Sequence, residues 1–370
     1  MKLLAFVSYY LAGQACSAFS ATASVSSAKS RYNDLKDWLL SADESYISPK
    51  LEIRPSTIGN YGYGAFAGED IDEGETLLKV PKGCCVTLED ALEDGECGPS
   101  FQNLMKKAGP GSETVILAAY LAKEYLLLKE FDRRISEGAT ADDDSEMRRL
   151  ANIKFAPYLR TLPWGRGVNA QEHVLFWKDE DVDALLKGSL AYKDATETRA
   201  TVKMATKVIN AIIAPVVRKA RAEETESKEE GFRFPWQQEP EPETPDDEIL
   251  DGLEDAVRGA FVIMLSRSFV ETVGDKQEER LEPLFDMLQH SNAPNVIHTL
   301  DDSGYVIEVK ASKAIESGDE IFNQYKSEED ENMPYHKFFT RFGFVPGVVE
   351  PVADLIAARS TIFFPQRAEI

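Results

Sequence analysis

The sequence predicts an α+β fold on three observations: short β-forming segments near its start, more of them near its end, and roughly 170 mainly helical residues between. In the first region Leu51-Glu52-Ile53 alternates in polarity. A turn-forming stretch from Gly59 to Gly64 follows, then the short apolar runs Ala65-Phe66-Ala67 and Thr76 to Val80, the latter closed by Pro81-Lys82-Gly83. From Gly111 the pattern turns helical: Val115, Ile116, Ala119, Leu121 and Leu126 to Leu128 lie in a window without Gly or Pro. A second helix is expected from Thr196 to Ala222. There Val202, Ala205, Val208, Ile209, Ile212, Ile213 and Val216 form one buried stripe, and Pro215 should kink or interrupt it. A third is expected from Asp247 to Phe269, with Leu253, Val257, Phe261, Met264 and Leu265 on one side. The helical insert therefore runs from about residue 100 to 270. Within it, residues 223–248 are dense in Glu and Pro, have little to bury, and read as a mobile acidic linker, as does the run at 141–144. After Phe269 strand and turn return. Val296 to Leu300 and Tyr305 to Val309 flank Asp301-Asp302-Ser303-Gly304, a hairpin signal, and Gly318-Asp319 leads into Glu320-Ile321-Phe322.

With 370 residues, 43% of them hydrophobic, the chain can bury a substantial core. Its 41 Lys and Arg against 64 Asp and Glu give a net charge of −23, which argues against general nucleic-acid binding, since phosphates need a cationic face. Surplus acid serves solubility and also suits a basic, lysine-bearing partner. Cys16, Cys84, Cys85 and Cys97, and His173, His290, His298 and His336, show no metal-ligand spacing, so no metal is expected, and Cys84 and Cys85 read as buried free thiols.

The amino terminus reads as an address. Lys2 precedes an apolar run, Leu3 to Leu11, and Cys16-Ser17-Ala18 is small at the places a signal peptidase requires, so residues 1–18 are expected to be a signal peptide. Residues 19–33 are rich in Ser and Ala, carry Lys29 and Arg31, and have the composition of a transit segment. The junction Ser17-Ala18-Phe19 resembles the signal-plus-transit presequence of algae with secondary plastids, which implies a mature protein in the plastid stroma; plain secretion is the alternative. No later segment reads as membrane-spanning.

Three segments stand out. The first is Tyr61-Gly62-Tyr63-Gly64-Ala65-Phe66-Ala67. The second is Leu284-Phe285-Asp286-Met287-Leu288-Gln289-His290-Ser291, with Pro294-Asn295 after it. The third is Gly318 to Tyr325, followed by Phe342-Gly343-Phe344-Val345. In order and content they resemble SET-domain protein methyltransferases. The helical insert, with Pro157-Tyr158-Leu159, Leu162-Pro163 and Ser266-Arg267, is similar to the branch holding Rubisco large-subunit lysine methyltransferase and actin-histidine methyltransferase. The resemblance covers about residues 45–345. It implies a β-rich core with knot-like threading, and leaves residues 346–370 as a vestige of that branch's second, substrate-binding domain.

The resemblance also implies S-adenosyl-L-methionine as cofactor and assigns roles. Gly62, Tyr63 and Gly64 would hold the amino-acid end of the cofactor through main-chain groups, the glycines allowing close approach and positive φ. A lone Gly-x-Gly is more often a plain turn. Arg267 would bind the cofactor carboxylate as a planar fork; in isolation it reads as a cation capping a helix C-terminus. Asp286 would anchor its strand or meet the cofactor amino group. Gln289, where the family commonly has Asn, and His290 would complete the cofactor site, although alone His290 reads as a satisfied core histidine. Tyr325 would be catalytic and line the substrate channel with Phe342 and Phe344; Phe342 replaces a common Tyr, and Lys326 replaces the usual Gly.

The expected function is methylation of a protein, foremost a lysine of Rubisco large subunit or another stromal protein, by a monomer that binds neither nucleic acid nor, once mature, a membrane. Histidine methylation, a SET-like binding module with little or no turnover, and a helical scaffold without cofactor are the alternatives.

Overall fold

The structure is a computed structural model and describes residues 30–58, 62–140, 145–166, 173–228, 246–301, 304–325 and 333–345, with side chains omitted at 222–251. Residues 30–40 are helical (α1). They lie against the core through Tyr32, Leu35 and Leu39, so the boundary expected at residue 33 falls inside a packed helix. Residues 1–29, with the expected signal peptide, lie outside the described residues.

The β segments at the two ends of the chain interleave. Tyr46–Ile47 (β1), Leu51–Pro55 (β2), Tyr63–Ala67 (β3), Thr76–Pro81 (β4) and Val86–Thr87 (β5) come first. Ser268–Val273 (β6), Lys276–Leu281 (β7), Gln289–His290 (β8), Val296–Leu300 (β9), Val306–Ala311 (β10) and Glu320–Asn323 (β11) follow the insert. They form three sheets, ordered β1-β4-β10-β9, β2-β3-β11-β8 and β5-β7-β6. Every pairing is antiparallel except β11 with β8, where Phe322 meets Gln289 and Asn323 meets His290. Each sheet joins residues from before and after the insert. The hairpin expected at 296–309 is β9–β10, with Ile307 and Val309 facing the core in strict alternation.

The insert holds Leu88–Leu92 (α2), Gly98–Ala108 (α3), Glu113–Ser136 (α4), Ser145–Ala151 (α5), Ala156–Leu159 (α6), Asp179–Leu186 (α7), Leu190–Lys228 (α8) and Asp246–Arg267 (α9). Helix α2 starts on a reciprocal cap: Thr87 Oγ1 accepts from Asp90 N, and the Asp90 carboxylate accepts from Thr87 N at 2.9 Å. Helices α4 and α9 are buried on most sides, through Ile116 to Leu128 and Ala256 to Met264, so they form the middle of the insert.

Helix α8 departs from expectation in three ways. It begins at Leu190 rather than near Thr196, it runs on through Pro215, and residues 223–228 of the expected linker continue it, while residues 246–248 open α9. Pro215 lies on the exposed side. The buried stripe is Val202, Thr206, Ile209, Ile213, Val217 and Ala220, and Val208 points outward. Contrary to expectation, residues 190–221 are also long and apolar enough to cross a membrane by length and composition; their inner face packs on α4 and α9. Residues 229–245 and 141–144 lie outside the described residues. After β11 comes Tyr335–Phe342 (α10), stopped by Gly343 at φ 83°, a left-handed conformation open to glycine at no steric cost. Residues 346–370 lie outside the described residues.

Cys84, Cys85 and Cys97 are buried free thiols, as expected of the first two. Burial pushes all three up, Cys97 to about 12.

Candidate active site

The parallel β8–β11 pairing fixes the site, because it sets Gln289 and His290 beside the strand that delivers Tyr325. His290 is buried and both of its ring nitrogens are engaged. Nδ1 accepts from the Tyr325 backbone N–H at 3.1 Å, and Nε2 lies 3.2 Å from Asn292 Oδ1. A bare Nδ1 puts the neutral ring's proton on Nε2, as the Asn292 contact requires. The ring thus holds the backbone of Tyr325.

The Tyr325 hydroxyl donates to the Leu288 carbonyl at 2.9 Å. Its proton is committed, and its oxygen lone pairs remain for a ligand. Burial pushes this phenol up, against the pull of Arg267, so it stays a neutral hydroxyl at ordinary pH. Around it stand Phe342 and Phe344, with ring centres at 5.2 and 6.3 Å from its own, and Phe338, 5.0 Å from both His290 and Phe344. Phe338 and Phe342 come from one face of α10, and the turn at Gly343 brings Phe344 back onto them. Phe338 was not singled out in the sequence; its spacing of four from Phe342 is the signal that could have found it.

Arg267, the last residue of α9, is mostly buried rather than a solvent-exposed cap. Its Nη1 lies 3.2 Å from both the Asp286 carboxylate and the Asp286 carbonyl. The same carboxylate accepts from the Tyr158 hydroxyl at 2.8 Å. Burial pushes the Asp286 carboxyl up, while Arg267 and Tyr158 draw it back toward the charged form. Tyr158, fully buried on α6, belongs to the Pro-Tyr-Leu feature, which gave no hint of its partner. Two atoms of the ion pair remain buried without a hydrogen bond: Arg267 Nε, a donor, and Asp286 Oδ1, an acceptor. Asn323 Nδ2, beside His290 in the register, is a third. Just upstream, Leu284 holds φ 71° and ψ −38°, a strained conformation for a branched residue of the kind that gathers at functional sites.

The glycine segment closes the other side, with a correction. Neither Gly62 nor Gly64 takes positive φ, and Gly64 is an ordinary residue of β3. A Cβ on Gly64 would lie 2.3 Å from Glu320 Oε1, and one on Gly62 would lie 3.6 Å from Gln289 Nε2. The absence of a side chain at Gly64 therefore makes room for Glu320. Glu320 is held in turn by Ser56 Oγ at 2.6 Å, by Thr57 N at 2.9 Å and by the Thr57 hydroxyl. Gln289 spends its amide nitrogen on the Tyr63 carbonyl at 2.9 Å, and Tyr63 packs on Tyr32 at 4.8 Å. Tyr61 and Lys326 lie outside the described residues.

Gly62, Tyr63, Gly64, Gln289, His290 and Tyr325 are thus brought together by successive contacts, as are Arg267 and Asp286. The arrangement offers a zwitterion-matching donor and acceptor, a bare hydroxyl oxygen and an aromatic wall.

The chain belongs to the SET-domain family: that family's model matches residues 62–326. Among solved structures it is similar to the SET domain of LSMT bound to lysine and AdoHcy, with 15% identity and a TM-score of 0.54 over 86% of this chain and 57% of that one. It is also similar to Rubisco LSMT bound to AdoMet, at 15% identity and TM-score 0.55 over the same shares, and to Rubisco LSMT bound to sinefungin and monomethyllysine, at 17% and 0.52 over 86% and 56%. These likenesses establish a shared fold. The chain spans just over half the length of those chains. No curated protein matches it.

Proposed function

We propose that this protein transfers a methyl group from S-adenosyl-L-methionine to a lysine side chain of another protein. The observation that carries the reading is that the buried ion pair, closed through Arg267 Nη1 and Asp286 Oδ2, leaves a second donor, Arg267 Nε, and a second acceptor, Asp286 Oδ1, unspent. A free amino-acid terminus presents one carboxylate and one ammonium, and this donor and acceptor complement both. Those residues fit the cofactor's methionine end, with Gln289 and the β3 backbone beside them. When bound, the cofactor supplies an electrophilic methyl on a sulfonium. Tyr325 does the rest from this chain's side: its hydroxyl proton is held by Leu288, so its oxygen accepts from an incoming amine and orients it. Phe338, Phe342 and Phe344 exclude water, which lowers an amine's pKa and favours the neutral nucleophile. The neighbours' bound lysine and monomethyllysine support a lysine acceptor. The expected presequence supports a plastid protein as substrate, with Rubisco large subunit foremost.

The test is calorimetric titration with S-adenosylmethionine, followed by labelled-methyl transfer into a plastid extract. Tyr325→Phe should cut turnover at least about tenfold, about 1.4 kcal/mol in barrier, with little change in cofactor affinity. An unchanged rate would remove Tyr325 from the mechanism. Cofactor binding without transfer would mark a binding module, and label on histidine the neighbouring chemistry.

A further inference from the structure

A groove of about 590 Å³ lies outside the site just described, between α7, α8 and α9. Its apolar lining is Leu175, Val182 and Val202. Along one side run Lys203 and Lys207, one turn apart on α8, and Arg258 of α9 joins the lining. Lys203 and Lys207 form no ion pair among the described residues, whereas the other charges are largely engaged. Arg199 is tied to Asp179 and to the carbonyls of Val174 and Trp177, and Asp183 accepts from Tyr192. Asn210, next along α8 and also in the lining, has a buried side-chain oxygen with no hydrogen-bond partner. In a chain of net charge −23, two unpaired lysines over an apolar lining with an unspent amide make a local exception to the field of the whole molecule.

The groove also touches the catalytic wall from behind. Val182 and Trp177 pack with Phe339, the Trp177 and Phe339 ring centres being 5.7 Å apart. Phe339 lies on α10 between Phe338 and Phe342, which face Tyr325. His173, just before Leu175, ties the same region to the end of α10 through the Arg341 carbonyl at 3.2 Å. One helix, about 10 Å across with its side chains, therefore separates the groove's wall from the aromatic wall.

We infer that this groove docks an acidic segment of the protein substrate, held by Lys203 and Lys207, while its lysine enters beside Tyr325. Of the lining's own carboxylates, Asp179 is tied to Arg199, Asp183 to Tyr192, and Glu254 stands on α9 rather than beside the lysines on α8; an extended peptide can place carboxylates on the lysines, apolar side chains on Leu175 and Val202, and a backbone N–H on Asn210. Spanning the breadth of α10 takes at least about three extended residues, which sets the minimum spacing between the acidic run and the lysine. The inference deepens the methyltransferase reading and rests on it for the word substrate.

The experiment is fluorescence anisotropy on the full chain, with a labelled peptide carrying one lysine followed by a glutamate run, beside its glutamine counterpart. The glutamate peptide should bind more tightly and weaken as salt rises. Lys203→Glu with Lys207→Glu should weaken it at least about tenfold while leaving S-adenosylmethionine affinity unchanged. Both lysines are exposed, so the variant keeps its melting temperature. Equal binding of the two peptides, or no effect of the charge reversal, overturns the inference, as does inorganic phosphate binding the groove where the peptide does not. The anisotropy is read without cofactor, so loss of the methyltransferase reading would show separately, as failure to bind S-adenosylmethionine.

Discussion

Gly64→Ala tests the close approach of Glu320 to β3. The added methyl would lie 2.3 Å from Glu320 Oε1 and 3.2 Å from Glu320 Cδ. An ordinary carbon–oxygen contact is about 3.3 Å or more, so the carboxylate must move by about 1 Å. It is not the free end of a flexible chain, because Ser56 and Thr57 hold both oxygens. A shift of that size stretches the 2.6 Å bond from Ser56 to about 3.6 Å, where it no longer counts as a hydrogen bond. Hydrogen bonds to charged groups contribute about 1.5–3 kcal/mol each, so losing one, with partial loss of a second, costs about 2–4 kcal/mol. Urea unfolding of parent, Gly64→Ala, Glu320→Ala and the double variant measures this. The double variant should be more stable than the sum of the singles requires, by about 2 kcal/mol, because the clash vanishes with the carboxylate. A Gly64→Ala protein within about 0.5 kcal/mol of the parent, or strictly additive costs, would refute the close-approach argument.

Two further outcomes concern the charges inside the fold. Arg280 and Glu282 are fully buried, 3.5 Å apart, and lack hydrogen bonds at the guanidinium and carboxylate atoms. Burial, reinforced by Glu271, pushes the Glu282 carboxyl well above the usual carboxylate range. Arg280→Met should cost about 3–5 kcal/mol in chemical unfolding, and Arg280→Met with Glu282→Leu should restore most of it; a double variant no better than the single would refute this. His173 is buried, and burial lowers its pKa to about 4 from 6.5. Below pH 6.5 the unfolded chain takes up a proton that the folded chain refuses, so this contribution is full above pH 6.5 and fades as pH falls. Between pH 7.5 and 5 the loss should be about 2 kcal/mol, and His173→Gln should flatten that slope; an unchanged slope would assign it to other groups.

The outer parts of the fold were legible because their physics is local. Alternation marked β2, the turn residues at 301–304 marked β9 and β10, a window free of Gly and Pro marked α4, and one-sided apolar residues marked α8 and α9. The hairpin β6–β7 was harder to read. Lys276 to Leu281 reads Lys-Gln-Glu-Glu-Arg-Leu, with no apolar alternation, since its buried member is Arg280; the two-residue turn Gly274-Asp275 was the available signal. The extent of α8 was hidden because Pro215 sits on the open side, where tertiary packing of the opposite face overrides its local cost. In the site, the residue types of the three segments pointed to the positions that converge. Their actual partners did not show, because Tyr158 with Asp286, Gly64 with Glu320 and His290 with the Tyr325 backbone are relations between distant stretches that no window of sequence contains.

That separation governs how the protein comes into being. Tyr63 and Gln289, in hydrogen-bond contact, are 226 positions apart, and Ser56 and Glu320 are 264 apart. Such closures form late and slowly, after the helices that bring the ends together. During synthesis the ribosome must release nearly the whole insert and β11 before the pocket can exist, so a nascent chain cannot bind its cofactor early.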